Sequence, residues 1–178
     1  LMVVDRSTGQ VADHLFRDLP HLLQRKTAFY RNTVMVLKAR LPGQRSGGGG
    51  VECLLLRPDD DEPATTWWCL LRPGKRLPVG SQFSGPQREY VASVLAKKPD
   101  GTASVRFELP HHQSVPDLAR HLGSMPLPPY IKRDSDDPRR SLDEERYQTI
   151  YADPSQPYAA AAPTAAAPPA RRDALGSR

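Results

Sequence analysis

The sequence predicts an α/β domain (incomplete) interrupted by an inserted small antiparallel β-barrel, with a disordered Ala/Pro-rich C-terminal tail. Three observations lead there. Residues 51–109 are a close succession of strand-length β-rich runs and turn residues, the pattern of a small barrel. Segments of mixed helical and strand character flank that stretch on both sides. From Ala159 onward the chain is mostly alanine, proline and arginine without apolar periodicity, so it has no face to bury. The resulting division is 1–43 for the first part of the α/β domain, 44–110 for the barrel, 111–165 for the return to the α/β domain and 166–178 for the disordered tail.

The chain opens inside a strand, LMVVD, followed by the turn Arg6-Ser7-Thr8-Gly9 and a second strand from Gln10 to His14, which together read as a hairpin. An opening on Leu1 in mid-strand implies that the natural N-terminus lies upstream. Phe16 to Leu23 predicts a short helix, and Ala28 to Leu41 a strand rich in β-branched and long apolar residues. Pro42 to Gly50 breaks the composition and reads as a flexible connector. It is not a phosphate loop, because no GK[ST] follows and it leads into a strand instead of a helix N-terminus.

In the barrel, VECLLLR, TTWWCLLR, REYVASVLA and ASVRFEL are the strands, and Pro99-Asp100-Gly101 supplies a hairpin turn. Trp67 and Trp68 must face opposite sides, one in the core and one partly exposed, where it covers a barrel end or stacks on a base. Ser114 is the expected N-cap of a helix with Val115, Leu118 and Leu122 at helical spacing and Gly123 as its stop. Three prolines then hold Met125 to Ile131 extended. After a polar loop, Ser141-x-x-Glu144 reads as a capping box opening a helix that runs through Tyr151.

The bulk chemistry excludes several classes. No run approaches the roughly 18 apolar residues of a membrane span and no signal pattern opens the chain, so a cytoplasmic protein with no membrane partner is expected. Cys53 and Cys69, the only thiols, each sit in an apolar run and read as buried core residues; a cross-strand disulfide does not suit a reducing compartment. They have no histidines at ligand spacing, so no metal is expected. His111 and His112 fall in a loop and are expected to be solvated. The net charge is +5, and residues 1–42 hold seven basic against three acidic side chains. That bias fits an RNA partner, because Lys and Arg bind phosphate and release counterions, but it fits an arginine-rich composition equally well.

The most specific signal lies between His121 and Thr164. MPLPPYIKR at 125–133, ERYQTIYA at 145–152 and AAPTA at 161–165 follow one another in a way that resembles the signature blocks of the S-adenosylmethionine:tRNA ribosyltransferase-isomerase family of queuosine biosynthesis. LMVVDRSTGQVADHLFRDLPHLL and LLRPGKRLPVG are similar to that family's opening hairpin and barrel. The family block Asn-Asn/Asp-Thr-Arg-Val-x-Pro-Ala-Arg falls on RNTVMVLKAR: Asn32, Thr33, Ala39 and Arg40 match, whereas the arginine after the threonine is absent and Lys38 replaces the proline. After AAPTA the family continues Gly-Leu-His-Phe, where this chain reads Ala166-Ala167-Pro168-Pro169. A truncated or frameshifted copy is therefore expected.

The resemblance implies transfer and isomerisation of the ribosyl moiety of S-adenosylmethionine onto 7-aminomethyl-7-deazaguanine at the tRNA wobble position, giving epoxyqueuosine. S-adenosylmethionine would be a co-substrate and tRNA the partner. It further implies Tyr130, Arg146, Tyr147, Gln148, Tyr151 and Thr164 as candidates for lining the site. Each has a plainer reading beside it. MPLPPYI can be a rigid strut, Tyr147 and Tyr151 can pack as an i,i+4 pair on one helix face, and Arg146 can pair with Asp143. No residue stands out as the general base. The alternative for the whole chain is an inactive remnant that is at most a weak RNA-binding barrel.

Overall fold

The computed structural model describes residues 1–23, 28, 33–128, 130, 131, 133 and 137–153. The expected tail and Thr164 lie outside the described residues. The chain forms two compact units, residues 1–31 and 32–178.

The first unit begins with the predicted hairpin, β1 (Met2–Val4) paired antiparallel with β2 (Val11–Asp13). Asp5 closes its turn by accepting from the Ser7 and Thr8 backbone N–H groups at 2.8 and 3.2 Å and from the Ser7 hydroxyl at 2.6 Å. These bonds, the Ser7 hydroxyl first, lower the Asp5 pKa. The predicted helix follows as a 3₁₀ turn at Phe16–Asp18 and one helical turn, α1 (Leu19–Leu22).

The second unit is built on a closed six-stranded barrel: β3 (Arg40–Arg45), β4 (Gly50–Pro58), β5 (Thr66–Arg72), β6 (Gln82–Ser84), β7 (Val91–Lys97) and β8 (Thr102–Glu108). The strand order is β3-β4-β5-β8-β7-β6, closed by β6 pairing with β3. Alternation sets its interior. Val51, Cys53 and Leu55 face inward from β4, Trp67 and Cys69 from β5, and Ala103, Val105 and Phe107 from β8. Bulges between Leu55 and Arg57 and between Val94 and Ala96 bend the strands far enough to close. Tyr90 is fully buried, edge-on to Phe83 with ring centres 6.2 Å apart, and gives its hydroxyl to the Pro42 carbonyl at 2.9 Å. The connection from β5 to β6 drops Leu77 into the same core.

Both cysteines are free and buried, as expected, and burial pushes the Cys69 thiol pKa well up. Trp67 faces the core, whereas Trp68 lies outside with the Lys98 ammonium 3.8 Å from its ring centre.

Three sequence expectations require correction. The composition break at 42–50 is a hairpin: residues 42–45 continue β3, and Gly48 and Gly49, with φ of +79° and +92°, make the reversal into β4. The strand expected over 28–41 is not a ladder strand among the described residues before Arg40, apart from an isolated bridge position at Val36. Its apolar residues are buried by tertiary packing instead: Leu37 and Ala39 join the barrel core together with Val115, Leu118 and Ala119 of the next helix. The capping box at Ser141 is not formed. The last helix starts three residues earlier, with Pro138 as its N-cap, the Asp137 carboxylate accepting from the Arg139 N–H at 2.9 Å and Ser141 bonded back to the Pro138 carbonyl.

Helix α2 (Val115–Leu122) follows its sequence signals, with the Ser114 hydroxyl accepting from the Asp117 N–H at 3.2 Å and Gly123 at the C-cap. Helix α3 (Arg139–Arg146) ends at Arg146, not Tyr151. Because one core contains the barrel, residues 37–39 and α2, limited proteolysis should leave a resistant fragment from about residue 33 to about residue 128. Cleavage that trims the chain to residues 40–110 while the barrel survives would show that the flanks do not share its stability.

Candidate functional site

The second unit carries a cleft of about 410 Å³. Its floor is the outer face of the barrel, its walls are the segment after α2 and the first turns of α3, and its polar groups converge from positions far apart in the chain. Arg40 of β3 donates to Glu52 Oε1 of β4 at 2.7 Å and to the Leu127 carbonyl at 3.0 Å. Arg72 of β5 lies directly across from Glu52 in the ladder. Met125, Leu127, Pro128 and Ile131 supply an apolar wall, and Arg133, Arg140, Asp143 and Glu144 close the far side.

Local structure explains how these side chains are held. Backbone bonds in both directions between Arg40 and Ser124, at 3.1 and 3.0 Å, lock the end of α2 to the start of β3. Gly123 makes this approach feasible, since a Cβ there would overlap the Lys38 carbonyl oxygen. Arg133 grips Asp143 with two bonds of 2.7 and 3.0 Å, and Lys38 meets Glu144 at 2.7 Å. The Arg133 bond holds the Asp143 carboxyl below its usual pKa, so it is ionised at neutral pH and fastens α3 to the wall.

The predicted site residues divide in this setting. Tyr130 is 81% exposed beside the cleft wall. Tyr147, the C-cap of α3, is half-buried. Burial first, and then Tyr130, raise its pKa, while Arg40 opposes; at neutral pH it is a hydroxyl donor. Gln148 is engaged otherwise: its Oε1 accepts from the Val36 N–H at 2.8 Å and its Nε2 donates to the Val36 carbonyl at 2.9 Å. Tyr151 is partly exposed and, being beyond the helix end, does not form an i,i+4 face with Tyr147. Arg146 is exposed, and Asp143 pairs with Arg133 and not with it.

Sequence reasoning passed over Arg40, Glu52, Arg72 and Arg133. The signal available for Arg40 was its match, with Ala39, to the end of the asparagine-threonine block. His111 is exposed as expected, but His112 is not solvated: only 14% of its side chain is exposed, against Asp117.

The model of the family described as "Queuosine biosynthesis protein" matches residues 1–170. The chain belongs to that queuosine biosynthesis family. Among curated relatives, the S-adenosylmethionine:tRNA ribosyltransferase-isomerase of Desulfitobacterium hafniense is 40% identical over 166 residues, covering 93% of this chain and 45% of the relative. The protein of that name from Fusobacterium nucleatum is 36% identical, with 93% and 44% covered. The chain thus spans less than half the length of these queuosine-family relatives. A solved S-adenosylmethionine tRNA ribosyltransferase from Thermotoga maritima aligns over 69% of this chain and 40% of its own, with 26% identity and a TM-score of 0.39. Among the described residues no helix is long and apolar enough to cross a membrane.

Proposed function

We propose that this chain carries part of the substrate cleft of an S-adenosylmethionine:tRNA ribosyltransferase-isomerase, acting on 7-aminomethyl-7-deazaguanine in the wobble position of tRNA. One observation supports this reading above the others. Three blocks singled out in the sequence, ending at Arg40, starting at Leu70 and spanning 125–133, are separated along the chain yet meet at one cleft through Arg40, Arg72 and the Met125–Ile131 wall.

The chemistry needs what such a cleft offers. The sulfonium of S-adenosylmethionine acidifies its neighbouring C–H bonds and is a good leaving group, so a base can start elimination. The incoming aminomethyl group must first lose its proton to become a nucleophile. The ribosyl carbons pass to that amine and rearrange to the epoxide, with adenine and methionine released. In this reading Met125, Leu127 and Ile131 form the apolar shelf for adenine. Tyr130 and Tyr147 donate hydroxyls to the ribosyl oxygens, Arg146 and Tyr151 lie along the RNA approach, and Thr164 belongs to the same site. Arg72 and Arg140 attract phosphate. Gln148 acts through the Val36 segment that it holds.

The deciding measurement is adenine release by a full-length relative carrying the same blocks, with a Tyr-to-Phe change at the position of Tyr130. An exposed phenol contributes little to stability, so the melting temperature should stay within a few degrees. Activity should fall at least tenfold, about 1.4 kcal/mol of lost transition-state stabilisation. Unchanged activity would return MPLPPYI to the role of a strut.

A second reading, a non-catalytic remnant that binds RNA through its barrel, is favoured by the two cations gathered at Trp68, Lys98 at 3.8 Å and the Arg57 guanidinium at 5.8 Å from the ring centre. The purified 178-residue chain tests this second reading: RNA retardation that is lost in Trp68→Ala supports it, and adenine release excludes it.

A further inference from the structure

Around α2, among residues that do not line the cleft, lies a second constellation. His112, in the loop entering the helix, places Nδ1 3.4 Å from one carboxylate oxygen of Asp117. One turn later His121 places Nδ1 3.5 Å from the other. The two imidazoles face each other with ring centres 5.4 Å apart. A donor atom from each of the three residues lies within 4.8 Å of the other two. We propose that His112, Asp117 and His121 form a three-ligand site for a divalent transition-metal ion of the imidazole-binding class, with Zn²⁺ as the main occupant.

The geometry carries the proposal. An ion holding nitrogen and oxygen ligands at about 2.0–2.1 Å in a tetrahedron has ligand-to-ligand edges of about 3.3–3.4 Å. Each histidine already stands at about that edge from one Asp117 oxygen, but from a different one, so loading requires drawing both rings onto a shared oxygen and closing the gap between them. Asp117 and His121 share a helix face through their i,i+4 spacing. His112 is presented by a loop whose exit is fixed by the Ser114 cap. The carboxylate is oriented by a bond of 3.3 Å from the Gln113 N–H. The side chain of His121 is 66% exposed, which leaves the remaining coordination positions to water.

Two features oppose the ion and set its affinity. The Arg120 guanidinium stands 3.5 Å from Asp117 and repels a cation. The Nδ1 of His121 lies 2.8 Å from the Asp117 carbonyl, to which it donates when protonated. The metal must displace that hydrogen bond, with the ring's proton then carried on Nε2. Together they place the site below a closed four-ligand zinc centre in strength. Occupancy would clamp the loop at 112–113 to the helix whose other end, Gly123, lines the cleft.

The test uses tag-free, chelator-treated 178-residue protein titrated with Co²⁺ by visible absorption, then with Zn²⁺ in competition. One ion per chain, without the sulfur-to-metal charge-transfer band that Cys53 or Cys69 would give, is expected. A Zn²⁺-dependent rise in melting temperature, reversed by chelator, should accompany it. His112→Ala and His121→Gln should each weaken binding at least tenfold, whereas His111→Ala should leave it unchanged. His121→Gln lies at an exposed position and keeps the fold, so its result is interpretable even if His112→Ala melts early. Absence of saturable uptake, unchanged binding in His121→Gln, or equal loss in His111→Ala overturns the assignment.

Discussion

Gly123→Ala should destabilise the second unit by about 3 kcal/mol, near the upper end of what overpacking costs. The backbone angle is not the reason, because φ at Gly123 is −73°, which any residue adopts. The reason is space. An added methyl group would overlap the Lys38 carbonyl and lie 2.5 Å from the Ala119 carbonyl, both backbone atoms that no rotamer change can move. Relief requires separating the end of α2 from residue 38, which breaks the paired bonds between Arg40 and Ser124. Urea unfolding should show a lower midpoint with an unchanged slope, and ligand affinity at the cleft should fall with it, since Gly123 and Ser124 line its wall. A loss below about 1 kcal/mol would mean that this junction yields easily and does not position Arg40.

Gln148→Leu should cost about 2 kcal/mol. Leucine fills a similar volume but leaves both peptide groups of Val36 without their side-chain partners, and Val36 is only 4% exposed, so water replaces them poorly. Glutamate at this position separates the two bonds. Its carboxylate can accept from the Val36 N–H but has nothing to donate to the carbonyl, so Gln148→Glu should lie at or below leucine in stability. Hydrogen exchange at the Val36 amide should accelerate in both variants by more than at the barrel amides. Equal acceleration across the barrel would instead show that the residue acts globally. A ligand-contacting glutamine would lose affinity without this local opening, which separates the two roles.

The barrel was legible because its information is local. Alternating apolar residues announce β4, β5, β7 and β8, and Pro99-Asp100-Gly101 turns the chain with Gly101 at a φ of +89°. β6 escaped notice because three residues, Gln82 to Ser84, carry too little periodicity. The cleft was less legible for a different reason. Its polar groups are outward-facing charges on strands, which look like ordinary solvated residues until the chain folds a second wall over them. The end of α3 illustrates the same limit: Tyr147 to Tyr151 suit a helix locally, but the bond pair from Gln148 to a residue 112 positions away accompanies an earlier stop. The asparagine-threonine block was visible as a resemblance, yet what Arg40 touches could be learned only from three dimensions.

The pairing of Arg40 with Ser124 also has a kinetic meaning. It closes a loop of about 84 residues, and for a flexible chain that closure would cost on the order of 4 kcal/mol, taking (3/2)RT ln n alone. No two backbone bonds offset such a cost. A formed barrel shortens the gap, because it already brings β3 and the entry to α2 into one core. The order of events follows: β-hairpins first, barrel closure next, and only then the junction at residues 40 and 124 with the arginine it aims. During synthesis, the segment before β3 must therefore wait for about 80 further residues before it finds its place. The cleft is the last part of this unit to be made, and any slow step in assembling the barrel delays it in equal measure.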